Sequence, residues 1–356
     1  MRTVVAMSGG VDSSVAAGLL VEQGHEVIGV HMKLHDRAPA AATAGQCCGL
    51  DDALDARRVA DRLGIPFYVF DLREPFRAAV MDDLAQSYLR GRTPNPCVRC
   101  NGVLKFRVLL ARALALGAEA LATGHYARRL DTPDGPALAT ATDAAKDQSY
   151  FLFPITPQAL ERTLFPLGGL DKGEVRAHAA RLGLPVAEKA ESQEVCFLPD
   201  HDHARFVKEA AGPEHDGAGE IVDEQGQVLG QHDGYYRYTV GQRRGLGLAL
   251  PSPAFVLRVE PDSRRVVVTM DPRKLGAMGL AASGAVWHRA PAADDPVEVR
   301  VRHRGERVPA RVQRVEQGRF EVAFDRPVRA VAPGQAAVVY QGDRVLGGGY
   351  IDRALG

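Results

Sequence analysis

The chain has 356 residues, 46% apolar and 25% charged, which is enough to bury more than one core. Its 44 basic and 44 acidic residues balance to zero net charge, which excludes a protein that coats nucleic acid through bulk charge. No apolar run approaches the roughly 20 residues that span a bilayer, and a strand is expected from residue 3, so a cytoplasmic protein with no membrane partner is expected. In that compartment the five cysteines are expected to be free, catalytic or metal-bound rather than structurally paired.

In chain order, the apolar run Thr3-Val4-Val5-Ala6-Met7 leads directly into Ser8-Gly9-Gly10-Val11-Asp12-Ser13-Ser14. A buried strand followed by a glycine turn and a helix start gathers backbone N–H groups and a positive helix end around one anion. The hydroxyls of Ser8, Ser13 and Ser14 are expected to add donors, so the ligand should carry phosphate. The helix is predicted to run to Gln23 and stop at Gly24, and residues 25–30 read as a second strand, completing a β-α-β unit of a parallel sheet. Neither a Gly-Lys pair nor a Gly-x-Gly-x-x-Gly run occurs, so the Walker A and dinucleotide fingerprints are both absent. The loop instead resembles the PP-loop of enzymes that split ATP into AMP and pyrophosphate while adenylating an oxygen of a second substrate.

Helix and strand patterns then alternate to about residue 195. Helices are predicted over 50–63, 74–89 and 103–116, and strands over 65–71 and 118–124, with a compositionally simple loop at 38–45. From Gly219 onward short alternating strands dominate: 254–260, 265–270, 297–303, 320–324 and 336–340. A break near 271–282 divides this β-rich half in two. Two segments are locally basic. Residues 86–112 hold Arg90, Arg92, Arg99, Lys105, Arg107 and Arg112 with no acid, and residues 299–315 hold Arg300, Arg302, Arg304, Arg307, Arg311 and Arg314 against Glu306 alone. Together they could hold a polyanion at two points, and each alone could equally be a solvated face.

Cys97-Val98-Arg99-Cys100 follows the stiff Thr93-Pro94-Asn95-Pro96 and precedes the predicted helix at 103. Proximity to a helix start and to Arg99 is expected to favour the Cys100 thiolate. Cys196 stands far along the chain in Glu191-Ser192-Gln193-Glu194-Val195-Cys196-Phe197. The Cys-x-x-Cys pair alone could also be half a zinc site or two small buried hydrophobes. His125 alone could be a core-edge histidine with one hydrogen bond. His201 and His203 resemble a metal pair only superficially and are expected to be exposed, and Cys47 and Cys48 are expected to be structural or incidental.

Met7 to Ser14, Thr93-Pro94-Asn95-Pro96 through Cys100-Asn101, Thr123-Gly124-His125-Tyr126, Lys146-Asp147-Gln148-Ser149-Tyr150-Phe151-Leu152, Tyr238-Thr239-Val240-Gly241-Gln242-Arg243-Arg244-Gly245-Leu246 and Leu346-Gly347-Gly348-Gly349-Tyr350 occur in this order. With these motifs the chain resembles the tRNA-uridine 2-sulfurtransferases, also called tRNA-specific 2-thiouridylases, over nearly its whole length. The resemblance implies a multidomain α/β plus β protein. A doubly wound parallel sheet with a PP-loop would occupy 1–198, a small β-rich tRNA-binding domain 199–275, and a β-barrel tRNA-binding domain 276–356.

It further implies that ATP lies on Ala6, Met7, Ser8, Gly9, Gly10, Val11, Asp12 and Ser13, with Met32 and Gly124 lining the nucleotide, and that Asp12 helps place Mg2+. The 2-oxygen of the wobble uridine would be adenylated, Cys196 would carry a persulfide from a cysteine desulfurase or sulfur-relay protein, and Cys100 would resolve it. Positions implied to approach the anticodon loop of tRNA are Asn95, Pro96, Cys97, His125, Lys146, Asp147, Gln148, Arg302, His303 and Gln335. Wobble bases sit in a single-stranded loop and can be extruded into a pocket.

Well-known members carry aspartate at the position of Cys97. With cysteine there, Cys97, Cys100 and Cys196 could instead ligate three irons of a [4Fe-4S] cluster whose open iron carries the sulfur. Both routes stay open on the sequence. A different PP-loop ligase acting on a small molecule would leave the cysteines and the β-rich half without a role. A binding protein without catalysis would leave the PP-loop unexplained.

Overall fold

The structure, a computed structural model, describes residues 1–36, 50–190, 195–198, 202–213, 217–292 and 295–356. The simple loop at 38–45, Cys47, Cys48, residues 191–194 and His201 lie outside the described residues. Chain contacts divide the protein into two compact units: residues 1–80, 97–201 and 343–345 form the first, and residues 81–96, 202–342 and 346–356 the second.

The first unit is built on five parallel strands, β1 (Arg2–Ala6), β2 (Glu26–Lys33), β3 (Phe67–Asp71), β4 (Ala120–Thr123) and β7 (Thr163–Leu164), in the order β3-β2-β1-β4-β7. Strand β1 is buried from Thr3 to Ala6, as expected of a parallel strand covered on both faces. In register, Val4 pairs with Ile28 on one side and Leu121 on the other. Chain order reverses between β1 and β4, so the loops after these two strands open at the topological switch point, where sheets of this kind bind ligands. The hairpin of β5 (Ala127–Thr132) and β6 (Gly135–Thr140) interrupts the alternation read from the sequence.

The helix Val11–Glu22 buries Val15, Ala16, Ala17 and Leu20 in the core of this unit. A Cβ on Gly18 would stand 2.5 Å from Leu182 Cδ1, so the small residue permits close approach of the chain after helix Lys172–Arg181. That second helix starts with a capping box, Asp171 accepting from Glu174 N and Glu174 accepting from Asp171 N.

The helix expected from residue 103 begins seven positions earlier. It opens as Pro96–Arg99, widens into a π-helix over Cys100–Leu109 and closes as Leu110–Ala115. Proline at the first helical position gives up an N–H that would be unpaired anyway. Apolar periodicity misses this start because a wider turn changes the repeat that the periodicity reads.

In the second unit, β8 (Gly219–Val222), β9 (Val228–His232), β10 (Phe255–Glu260) and β11 (Arg265–Thr269) form a sheet in the order β10-β11-β8-β9. The helix His203–Ala211 also lies in this unit. A further six strands, β12 (Gly276–Trp287), β13 (Pro296–Arg300), β14 (Val308–Glu316), β15 (Arg319–Arg329), β16 (Ala336–Gln341) and β17 (Arg344–Leu355), run in the order β12-β15-β14-β13-β16-β17. Pairing of β12 with β17 closes them into a barrel around Leu280, Val299, Val312, Phe320, Val339 and Ile351. The break expected at 271–282 therefore shrinks to a turn at Pro272–Leu275, and strand β12 follows at once. Glycine hides this strand from pattern reading but serves the packing: a Cβ on Gly279 would lie 2.4 Å from Val322 O.

Candidate active site of the first unit

The turn after β1 is shaped by two close approaches. Gly9 has φ +81°, and a Cβ there would meet Asp52 O at 2.2 Å; a Cβ on Gly124, just past β4, would meet Ser13 N at 2.6 Å. The loops from the two central strands thus touch backbone to backbone. Gly10 caps the helix Val11–Glu22 with no side-chain hydrogen bond to its first turn. Those N–H groups carry the positive end of the helix dipole. Ala6 ends β1, Met7 is fully buried with its N–H donating to Val30 O at 2.8 Å, and Met32 sits half-buried near the end of β2.

The expected hydroxyl donors are engaged inside the loop. Ser14 Oγ donates to Gly10 O at 2.8 Å and Ser13 Oγ to Gly10 O at 3.2 Å, while Ser8 N donates to Ser13 Oγ at 3.1 Å. Ser14 is fully buried, so its hydroxyl shapes the turn and the donors to an anion are mainly backbone.

Two lysines that pattern reading does not find stand at this loop. Lys172 Nζ lies 2.7 Å from Asp12 Oδ1, which also accepts from Tyr126 Oη at 2.9 Å. Lys189 Nζ bridges Gly9 O at 3.1 Å, Asp52 at 2.8 Å and Asp55 at 2.7 Å, locking the glycine turn onto the helix Leu50–Leu63. The carboxylate expected to help place Mg2+ is thus already neutralised by an ammonium. Lys172 thus brings positive charge to the loop beside Asp12.

Cys97 and Cys100 fall in the first and second turns of the long helix. Burial pushes the Cys97 thiol up to about 11 and the Cys100 thiol up to about 12, with Lys105 opposing the rise in both. Cys97 is exposed as a residue even though its sulfur is desolvated. The expectation that the Cys100 thiolate is favoured fails, because Cys100 lies a turn inside the helix and desolvation outweighs the nearby cation. Charge on Cys196 raises both other thiols, so the three sulfurs lie within electrostatic reach of one another. Cys196 is half-buried beside Phe197, whose ring meets Phe76 edge-on at 5.4 Å.

Among the described residues, no group of three Cys, His, Asp or Glu side chains is gathered to hold a metal ion. Cys97, Cys100 and Cys196 are accordingly not gathered in this structure as the three ligands of a [4Fe-4S] cluster.

The positions expected to approach RNA divide into two groups. Lys146 and Gln148 are half-buried, and Gln148 Oε1 accepts from Tyr126 N at 2.9 Å. Asp147 is buried, its carboxylate accepting from Ala141 N, Ser149 N and Ser149 Oγ at 2.9–3.2 Å, so it holds a turn rather than facing a ligand. His125 has both ring nitrogens engaged, by Thr123 Oγ1 at 2.8 Å and Lys105 Nζ at 3.3 Å, two bonds rather than one.

In the second unit, Arg302 is exposed and His303 half-buried in the turn after β13. Gln335 Nε2 donates to Thr93 O at 2.9 Å, and Thr93 N donates to Pro333 O at 2.8 Å, so Gln335 positions the segment carrying half-buried Asn95 and Pro96. Arg92 reinforces the same segment through Asp352 at 3.0 Å. His203 is half-buried and stacks on Tyr88 at 4.6 Å, which corrects its expected exposure.

A doubly wound domain with a glycine loop at its switch point, in one chain with a closed β-barrel, defines a multidomain protein of the ATP-using PP-loop class. The family described as tRNA methyl transferase HUP domain matches residues 1–200, its PRC-barrel domain 204–270, and the aminomethyltransferase β-barrel domain 278–351. A tRNA-specific 2-thiouridylase MnmA of Geotalea uraniireducens is 53% identical over 99% of this chain and 96% of its own. The protein of that name from Acidothermus cellulolyticus is 50% identical over 99% of this chain and 98% of its own. The chain belongs to the tRNA-specific 2-thiouridylase MnmA family. Among solved structures, a 4-thiouridine synthetase–RNA complex with bound ATP aligns with 59% of this chain and 53% of its own at 18% identity and a TM-score of 0.38, too low to bear on function.

Proposed function

We propose that this protein is an ATP-dependent tRNA-uridine 2-sulfurtransferase that converts the wobble uridine to 2-thiouridine through an adenylated base, releasing AMP and pyrophosphate. The observation that carries the reading is the coexistence, in one compact unit, of the glycine loop at the switch point and three electrostatically coupled cysteines. ATP fits the loop because backbone N–H groups, the helix dipole and Lys172 all meet its phosphates. Mg2+ would accompany the nucleotide, with Asp12 the residue that would help place it, and would supply charge neutralisation at the phosphates.

Cys196 is the persulfide carrier, loaded by a cysteine desulfurase or sulfur-relay protein, and Cys100 is its resolving thiol. This route needs only two sulfurs within reach. Domains at 1–198, 199–275 and 276–356 divide the labour, with the two β-rich domains and exposed Arg302 holding tRNA. Among the described residues no helix is long and apolar enough to cross a membrane. Nucleoside analysis of tRNA from cells lacking the protein is expected to show loss of 2-thiouridine; unchanged 2-thiouridine rejects the reading.

A further inference from the structure

The row Thr123, His125, Lys105 links the two halves of the candidate site. Thr123 ends β4, and the following residue, Gly124, packs on Ser13 N of the phosphate loop. His125 Nδ1 is 2.8 Å from Thr123 Oγ1, and its Nε2 is 3.3 Å from Lys105 Nζ. An ammonium can only donate, so Nε2 accepts and the single ring proton sits on Nδ1, donated to the threonine oxygen. Phe106 and Phe165 flank the ring at centroid distances of 6.1 and 6.4 Å. Burial first, and then the charge of Lys105, hold the imidazole well below its ordinary range, so it stays neutral and remains an acceptor.

The ring therefore has no nitrogen left to offer RNA. What it presents is Lys105, with protons still to donate. Lys105 lies five positions after Cys100 within the π-helix, about one turn along it, and it is the cation that acts on both the Cys97 and Cys100 sulfurs. The ammonium is thus tied through His125 to the strand end that packs on the phosphate loop, and its charge also reaches both thiols.

We propose that Lys105 is the cation that meets the anionic phosphate oxygen of the activated nucleotide during sulfur transfer, and that His125, fixed as its Nδ1–H tautomer, is the positioning residue that aims it. The inference rests on the thiolation reading above and adds a catalytic residue to it. A hydrogen bond from a preorganised cation to developing charge is typically worth about 100-fold or more in rate.

The test uses the full-length protein labelled with 15N-histidine, together with single-turnover thiolation of a tRNA transcript. Wild-type His125 is expected to give the Nδ1–H signature. Lys105→Met should change that signature and lower the transfer rate about 100-fold, with tRNA affinity held within about threefold. Lys105→Arg should recover part of the rate, and His125→Gln, which cannot reproduce the ring geometry, should lose rate at unchanged tRNA affinity. A Lys105→Met transfer rate within about threefold of wild type overturns the cation's role, and an unaltered His125 signature in that variant overturns the positioning role. If Lys105→Met does not fold, Lys105→Arg and His125→Gln decide: full rate in both overturns the proposal. Absence of 2-thiouridine with the wild-type protein would reject the thiolation reading instead, while the tautomer still reports on the Lys105–His125 bond.

Discussion

Lys172 and Asp12 stand 160 positions apart in sequence, and their Nζ and Oδ1 atoms are 2.7 Å apart at the mouth of the phosphate loop. The lysine is largely shielded, with 14% of its side chain exposed. Its place is fixed by the capping box that starts the helix Lys172–Arg181 and by its own N–H, which is 3.4 Å from Asp143 Oδ2. A cation held this rigidly beside backbone donors is suited to phosphate, because little reorganisation is needed when the anion arrives.

Lys172→Met should therefore weaken ATP-dependent adenylation about 10-fold or more, measured as ATP–pyrophosphate exchange with tRNA present, while leaving tRNA binding intact. Exchange at the wild-type rate would reduce the pair to a structural contact.

The glycines separate by what surrounds them. Gly9→Ala and Gly124→Ala would drive a methyl into Asp52 O and Ser13 N, both backbone atoms that cannot swing away. Each is expected to abolish nucleotide binding by calorimetry and to cost about 1–3 kcal/mol of stability from overpacking. Gly24→Ala is the control: its φ is +80° but nothing lies within 4 Å of the added carbon. It should cost about 1 kcal/mol in thermal unfolding and leave ATP affinity unchanged. Equal ATP binding by all three variants would show that the loop is more plastic than its contacts imply.

The strand, glycine turn and helix start after β1 are legible because they lie within a dozen consecutive residues. Lys172, Lys189, Tyr126 and the closure of β12 on β17 are not, since each depends on partners that only the fold brings near. In the basic segment at 299–315, Arg311 lies 3.7 Å from Asp325, and Arg307 lies 3.7 Å from Glu298 and over the Tyr340 ring at 4.0 Å, partners that only strand pairing brings near. The expected Cys100 thiolate fails for a related reason: apolar periodicity places the helix start after Cys100 instead of before Cys97, which makes a desolvated sulfur look activated.

Reactivity of the resting thiols follows from their surroundings. An ordinary cysteine ionises near 8.5, whereas Cys97 and Cys100 are raised to about 11 and about 12, chiefly by burial. Iodoacetamide should label both slowly at pH 7.5 in the ligand-free protein and faster as pH approaches these values. The folded state holds these protons more tightly than the unfolded chain. Their contribution to stability is therefore complete below about pH 8.5 and is lost as pH rises from there toward 11–12. Rapid labelling of Cys100 at neutral pH, followed by peptide mass spectrometry, would contradict the desolvated environment.

The sulfur route is decided by composition and activity measured together. Since Cys97, Cys100 and Cys196 are coupled but not gathered as a ligand set, anaerobically purified protein should thiolate tRNA with far less than one iron per chain. A desulfurase should load its sulfur onto Cys196. Cys100→Ser should then trap the Cys196 persulfide and block thiolation, while Cys196→Ser should block loading, both with ATP–pyrophosphate exchange retained. Cys97→Asp, which removes the third thiol but keeps a polar side chain, should keep activity, because the two-sulfur route uses no third thiolate. Loss of thiolation in Cys97→Asp, together with near-stoichiometric iron and acid-labile sulfide in active wild-type protein, would instead make all three cysteines ligands and the open iron the carrier.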